Sequence, residues 1–295
     1  MNVLRLPLSR AATRHALHTA RRGIASGSGL PKFEPNSFKA SESPNPDWKL
    51  QKGLPTDTPL GKQWKQDEDA GWKTWDGWDT PPTDMYKMLS SAITPRPIAF
   101  VSTISSDGIR NLAPFSFFQM VSFKPPLVMV SCTLSPRRPK DTRENILNTN
   151  EFVVNLISEP FVEAANSTSV EAPAEIDEWL VSGLTGEPSE QVMPERVREA
   201  AVSLECTLYS YQDIYSDETD KSAPDAAPTT TMMIGRIEKA HVRNSVLQPD
   251  GLQVDPAKLR VVSRLGGNTY ARVTQGFDVA RPSWRDVKKE IGDKL

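Results

Sequence analysis

Between residues 98 and 134 the chain alternates short runs of β-branched and aromatic residues with tight turn signals, and this pattern constrains the fold more than any other feature. "IAFVSTIS" reads as a mostly buried strand, Asp107-Gly108 as a hairpin turn, and "IRNLAPFSFF" as the returning partner. "LVMVSCTL" from Leu127 and "EFVVNLI" from Glu151 follow as further strands. "AVSLECTLYSYQDI" and "TTTMMIGRIEKAHVRN" read as two long strands joined by an acidic, proline-bearing loop at 215–228. Helical pieces are expected at 141–148, 160–167 and 174–180, and at "DMYKMLSSAI". In the last, Asp84 is the expected N-cap, Met85, Met88, Leu89 and Ala92 share one side, and Pro95 and Pro97 stop the helix. Strands interrupted by short helices predict a mainly β barrel rather than a doubly wound sheet.

Charge and histidine content narrow the chemistry. Arg5, Arg10, Arg14, Arg21, Arg22 and Lys32 all precede the first acidic residue, Glu34. An arginine-rich, serine-bearing, acid-free start has the composition of a mitochondrial presequence, with "RRGIAS" placing a cut near Ile24 and the mature chain in the matrix. The alternative is a basic tail that binds something anionic. Removing residues 1–24 would take five arginines, leaving 30 basic against 37 acidic residues and moving the formal charge from -2 to -7. An acidic mature chain argues against nucleic-acid binding. No apolar run approaches the roughly 18 residues that span a bilayer, so no membrane partner is expected.

The same cut leaves His241 as the sole histidine. A Ser-His-Asp triad would have to use it, and a histidine-based zinc site is nearly excluded. Within "EKAHVRN" it reads as a satisfied strand residue. Cys132 and Cys206 match no metal-ligand spacing and read as small buried hydrophobes. No catalytic side chain and no metal site is therefore assigned, and a cofactor is expected to carry the chemistry.

Ahead of the barrel, residues 25–83 form an arm that begins in a Pro-, Ser- and Gly-rich stretch without apolar period. It ends in "WKQDEDAGWKTWDGWDTPP", which concentrates Trp64, Trp72, Trp75 and Trp78. Exposed indoles invite association, so residues 64–79 are expected to dock on the domain or on a second subunit, with Trp72, Trp75 and Trp78 at least partly buried. Residues 281–295 form a C-terminal tail that can be helical.

No GxGxxG follows a strand, and no GxxxxGK[ST] loop is present. The one stretch suited to an anion is "SPRRPKDTRENILN". Asp141 and Glu144 fit a capping box, which would start a helix directly after "RRPK". The free amides of Thr142 and Arg143, the helix dipole, the charges of Arg137, Arg138 and Lys140 and the Thr142 hydroxyl together make a phosphate cradle. A solvated basic turn closed by an ordinary cap is the alternative. At nearby strand ends, Ser102, Thr103 and Ser116 can hydrogen-bond a ribityl chain and a heterocycle edge, while Phe117 and Phe118 can pack against a flat ring. Phosphate at one end and an aromatic system at the other describes flavin mononucleotide (FMN).

The segments "TPRPIAFVSTISSDGIRNLAPFSFF", "KPPLVMVSC", "KDTRENI" and "EFVVNLI", then "GLTGEPSEQVMPERVREAAVSLEC", "MIGRIEKAHVRN" and "LRVVSRLGGNTYARV", resemble the flavin reductase-like family in content and order. The similarity runs from about residue 84 to 273, within a barrel domain placed at 84–280. It implies a six-stranded antiparallel split barrel of the FMN-binding type with short peripheral helices, and a homodimer with noncovalent FMN near the subunit interface. It also implies NADH or NADPH as co-substrate and a small-molecule or protein electron acceptor. By motif it gives Ser102, Thr103, Ser116, Phe117, Phe118, Arg138, Lys140, Asp141 and Thr142 as cofactor contacts. Arg96 in "PRPIAF" has a local structural role or a phosphate role. Gly267 and Tyr270 in "GGNTY" border the nicotinamide or acceptor side, or form a plain turn.

Overall fold

The turn at Asp107-Gly108 forms as its residues require. Gly108 takes φ +83°, and the Ser105 hydroxyl accepts hydrogen bonds from the Asp107 and Ile109 amides at 3.2 and 3.1 Å. It joins β1 (Ala99–Ile104) to β2 (Arg110–Phe115). The computed structural model describes residues 31–135, 140–216, 219–221, 223 and 226–294. Contacts divide the chain into Met1–Pro35 and Asn36–Leu295. Residues 31–35 of the first unit are irregular and exposed, and every element named below lies in the second.

After β2 come β3 (Phe118–Phe123), β4 (Pro126–Thr133), β5 (Glu151–Leu156), β6 (Val202–Ile214) and β7 (Thr230–Val242). Within the seven-stranded sheet all pairings are antiparallel, and the order is β2-β1-β5-β6-β7-β4-β3. Its two edges are therefore β2 and β3, which only Ser116 and Phe117 separate in sequence. A flat sheet of this order would put those edges about 29 Å apart, whereas the link reaches about 10 Å. The sheet must curl until its edges approach each other.

This corrects the expected strand count. "IRNLAPFSFF" is not one strand but the whole of β2, a crossing, and the first residue of β3, so six expected strands become seven. No ladder joins β2 to β3 among the described residues, and the barrel is curled but not closed.

β1 is buried on both faces, which is why it reads as a continuous apolar run rather than an alternation. Phe100 points into a cluster with Ile157, Phe161, Trp179 and Val262. Its neighbours Ala99 and Val101 point the other way, into a cluster with Val130, Phe152, Met233 and both cysteines. Asn155, fully buried in β5, ties three segments together. It donates to the Phe100 carbonyl at 3.0 Å and accepts from the Val197 amide at 3.0 Å and the Ser203 hydroxyl at 2.7 Å.

Among the helices, α1 (Pro59–Asp67) lies in the arm and α2 (Pro82–Ala92) leads into β1. α3 (Asp141–Thr149), α4 (Val162–Ser167) and α5 (Glu178–Ser182) pack outside the strands, and Ile146 of α3 enters the second cluster. Asp84 is not the cap of α2. The helix starts earlier, at Pro82, where proline's fixed φ suits the first turn, and Asp84 pairs with Lys87 at 2.8 Å. A further helix spans Trp284–Ile291.

Within the single chain the expected cover of the arm's indoles is found only in part. Trp72 and Trp78 are 94% and 80% exposed, and only Trp75 is partly covered, with the Lys73 ammonium 4.1 Å from its ring centroid. The Asp76 carboxylate accepts the Trp78 and Asp79 amides at 2.8 and 3.1 Å, a local turn that stops the indoles from lining up on one helical side.

Gly235 of β7 sits at a register shift, with the buried Phe152 ring pressed against it. A Cβ there would lie 2.2 Å from Phe152 Cζ. We expect Gly235→Ala to lower unfolding stability by about 1–3 kcal/mol in urea titration, because neither the central strand nor the enclosed ring can move away.

Candidate functional site

The unpaired edge of β2 faces a cavity of about 530 Å³. Its walls are Asn111 and 113–115 from β2, the start of α3, the loop 168–172, and Glu178 at the start of α5. Pro114 lacks an amide hydrogen, as an edge position tolerates. α3 begins one residue before the expected capping box allows. Lys140 is its N-cap, in extended conformation and with no side-chain cap, and Asp141 is already helical. The Glu144 side chain pairs with Arg143 at 2.6 Å instead of reaching back. Among the described residues the first-turn amides thus have no side-chain acceptor, which leaves an anion-favouring end on a cavity that Lys140, Asp141 and Thr142 line.

Behind this wall a hydroxyl–amide network fixes α3 to the sheet. Asn111 Nδ2 donates to Thr103 Oγ1 at 3.0 Å and to Thr142 Oγ1 at 2.9 Å, and Asn145 Nδ2 donates to Thr103 Oγ1 at 3.0 Å. Thr142 therefore lines the cavity in a locked orientation, whereas Thr103 is a buried support and not a lining residue. Ser102 is likewise removed from the site, being buried and donating to the Glu195 carbonyl at 2.5 Å. Arg137 and Arg138 lie outside the described residues.

Where β2 ends, the next residues enter a second, more apolar groove of about 950 Å³. Ser116, Phe117, Phe118 and Gln119 form one side, and Trp78, Tyr86, Leu89 and Ile93 the other. Phe117 is exposed to the groove, while Phe118 also packs against the core. Arg96 lines the groove, yet its guanidinium is already engaged. It donates to the Ser90 carbonyl, to Ile93 O at 3.2 Å and to Leu265 O at 2.9 Å, with Nε 3.5 Å from Ser116 Oγ. Of its two expected roles the structural one fits these bonds.

Gly267 and Tyr270 line neither cavity. Gly267 takes φ +61° in the turn between Val262–Arg264 and Tyr270–Arg272. The Tyr270 hydroxyl donates to Asn166 at 2.8 Å, and the Arg264 guanidinium lies 4.6 Å from its ring centroid. His241 is held 2.6 Å from the buried Glu205, which also accepts the Glu190 and Gln191 amides.

Asn111 and Glu178 are among the cavity residues that carried no assignment from sequence. Asn111 faces Thr103 across the hairpin register, and a polar pair at inward positions of a buried strand was the available signal. Glu178 left no such signal, because only the packing of α5 on β2 brings it to the cavity. It is 5% exposed, and one of its carboxyl oxygens accepts the Leu112 amide at 3.3 Å. Burial pushes its carboxyl above the ordinary range, hydrogen bonds from its own amide and the Leu112 amide oppose the shift, and the charges of Asp141 and Asp177 add to it.

Comparison with known proteins follows the same outline. The family model described as the flavin reductase like domain matches residues 90–256. An uncharacterized protein of Aquifex aeolicus is 38% identical over 195 residues, covering 66% of this chain and 92% of its own. Nitrilotriacetate monooxygenase component B from Bacillus cereus is 30% identical with a TM-score of 0.64, over 70% of this chain and 98% of that structure. The 2-nitrobenzoate 2-nitroreductase NbaA of Pseudomonas fluorescens is 25% identical with a TM-score of 0.61, over 72% and 98%. These relatives overturn the mitochondrial matrix location. Aquifex aeolicus, Halalkalibacterium halodurans and Bacillus subtilis, which supply similar proteins, are bacteria and have no mitochondria. The basic segment behind that expectation lies outside the described residues.

The raised Glu178 carboxyl has a measurable consequence. The folded chain binds more protons there than the unfolded one, so the contribution to stability is greatest in acid. It is lost as pH rises from about 4.3, the unfolded value, through the raised folded value. We expect Glu178→Gln to raise Tm relative to the parent near pH 7 and to give no gain near pH 4, by calorimetry.

Proposed function

This chain belongs to the flavin reductase-like family, and from that premise we propose that it is an FMN-binding oxidoreductase. It would take hydride from NADH or NADPH and pass the electrons to a second acceptor. The observation that supports FMN best is the succession along one strand edge. Residues 113–115 line a polar cavity at an uncapped helix start, and residues 116–119 line an apolar groove. A phosphorylated chain ending in a flat ring has that order of chemistry.

When bound, FMN supplies a ring that accepts hydride and releases electrons singly or in pairs. The chain's own residues bind and orient. Lys140 and the first-turn amides of α3 hold the phosphate, with the Thr142 hydroxyl fixed beside them by Asn111. Ser116, which Arg96 holds in place, and the exposed face of Phe117 meet the ring end. The same reading makes the protein a homodimer, and the exposed Met120, Val121 and Phe123 on edge strand β3 favour a second copy as the partner.

The direct test is the absorbance of purified protein titrated with FMN, then with NADH and NADPH without oxygen. Flavin absorbance that either nucleotide bleaches supports the enzyme, and bound flavin that neither bleaches identifies an electron-transfer module. Protein that binds no FMN refutes the reading. We expect Lys140→Ala combined with Thr142→Ala to weaken FMN binding by about 10–100-fold, with riboflavin, which lacks the phosphate, weakened much less. Fluorescence titration of both ligands, with circular dichroism as the folding control, checks this.

A further inference from the structure

Glu178 has no part in the phosphate cradle, yet it is a wall of the same cavity. Its position is built rather than incidental. Asp177 caps α5 by accepting the Trp179 amide at 2.9 Å, and the Arg110 guanidinium holds Asp177 at 2.7 Å while resting 5.6 Å from the Trp179 ring centroid. The buried Trp179 anchors the helix in the core. With α5 so fixed, the Glu178 carboxyl is held by the Leu112 amide and by its own backbone amide, and it forms part of the cavity wall. A carboxyl has acceptor sites beyond those two amides, and this one, 5% exposed to solvent, offers the remainder on the cavity wall.

The cavity therefore has two unlike ends. The start of α3 and Lys140 favour an anion, whereas Glu178 favours a neutral hydrogen-bond donor and disfavours a second anion. A chain of hydroxyls ending in one phosphate meets both demands. We propose that Glu178 is a ligand-binding residue that accepts a hydrogen bond from a hydroxyl of the ligand's polyol chain, and so selects phosphorylated polyols over other anions. This rests on the FMN reading above, in which the polyol is the ribityl chain.

The test is Glu178→Ala titrated with FMN, riboflavin and lumiflavin, the last carrying the ring without the polyol. The expected result is a loss of about 10-fold for FMN and riboflavin alike, with lumiflavin unchanged. Unchanged FMN affinity overturns the assignment, as does an equal loss for lumiflavin, which would mark a general effect on the fold. Should the alanine variant fail to fold, infrared difference spectra of the parent with and without FMN serve instead. The Glu178 carboxyl band, identified by its absence in Glu178→Gln, must shift when FMN binds, and no shift overturns the proposal. A parent chain that binds no FMN sinks both readings, whereas FMN binding indifferent to Glu178 sinks only this one.

Discussion

Two residues, Ser116 and Phe117, decide the shape of the sheet, because they must carry the chain from one edge strand to the other. The crossing is pinned at once, as the Ser131 amide of β4 donates to the Phe117 carbonyl at 2.8 Å. Curling brings the edges near each other without pairing them, so β2 keeps a free backbone edge along 113–115. A free edge normally invites association with another strand. Here Pro114 interrupts it, and α3, the 168–172 loop and Glu178 enclose the space beside it. The cavity is thus a consequence of the open barrel, since a ladder between β2 and β3 would fill the place where a ligand could lie.

The same geometry explains why several polar residues that look suited to a ligand are committed elsewhere. Buried hydroxyls and guanidinium groups need partners inside the fold, and residues near a cavity are as often its supports as its lining. Thr103 receives two amide donors, Ser102 serves the Glu195 carbonyl, and Arg96 joins the end of α2 to Leu265. These bonds hold the walls in register. Thr142 differs because α3 places it at the cavity surface while Asn111 satisfies its oxygen from behind.

What could be read from the sequence follows from how local each determinant is. The hairpin at Asp107-Gly108 and the strand runs carry their own signals in turn residues and apolar period, and each forms. The break between β2 and β3 carries none, since Ser-Phe is no turn signature and only the sheet order creates the need for it. Helix starts differ by three residues in α2 and one in α3, because Pro82 can open a helix without a side-chain cap, and because Lys140 rather than Asp141 is the last extended residue. Within the single chain the clustered indoles are covered only in part, for Asp76 turns that segment locally. Of the cavity, the α3 half was legible as a basic stretch before a helix. The Glu178 half arises from α5 packing on β2, which no local pattern encodes.

The side chains that could have carried chemistry of their own are occupied by structure. His241 is bound to Glu205 beneath the Glu190 and Gln191 amides, on strands that line neither cavity. Cys132 is fully buried, with its thiol pushed up to about 12 by burial, and Cys206 is pushed up in the same way. A buried thiol of that kind is a poor nucleophile and a poor redox partner at neutral pH. The residues that do face the polar cavity include a lysine, carboxyl groups and hydroxyls, which bind, orient and exchange protons but do not accept hydride. An oxidoreductase built from these walls must draw its redox chemistry from what it binds. The fold's contribution lies in the order it imposes along 113–119, an anion-favouring end followed by an aromatic one.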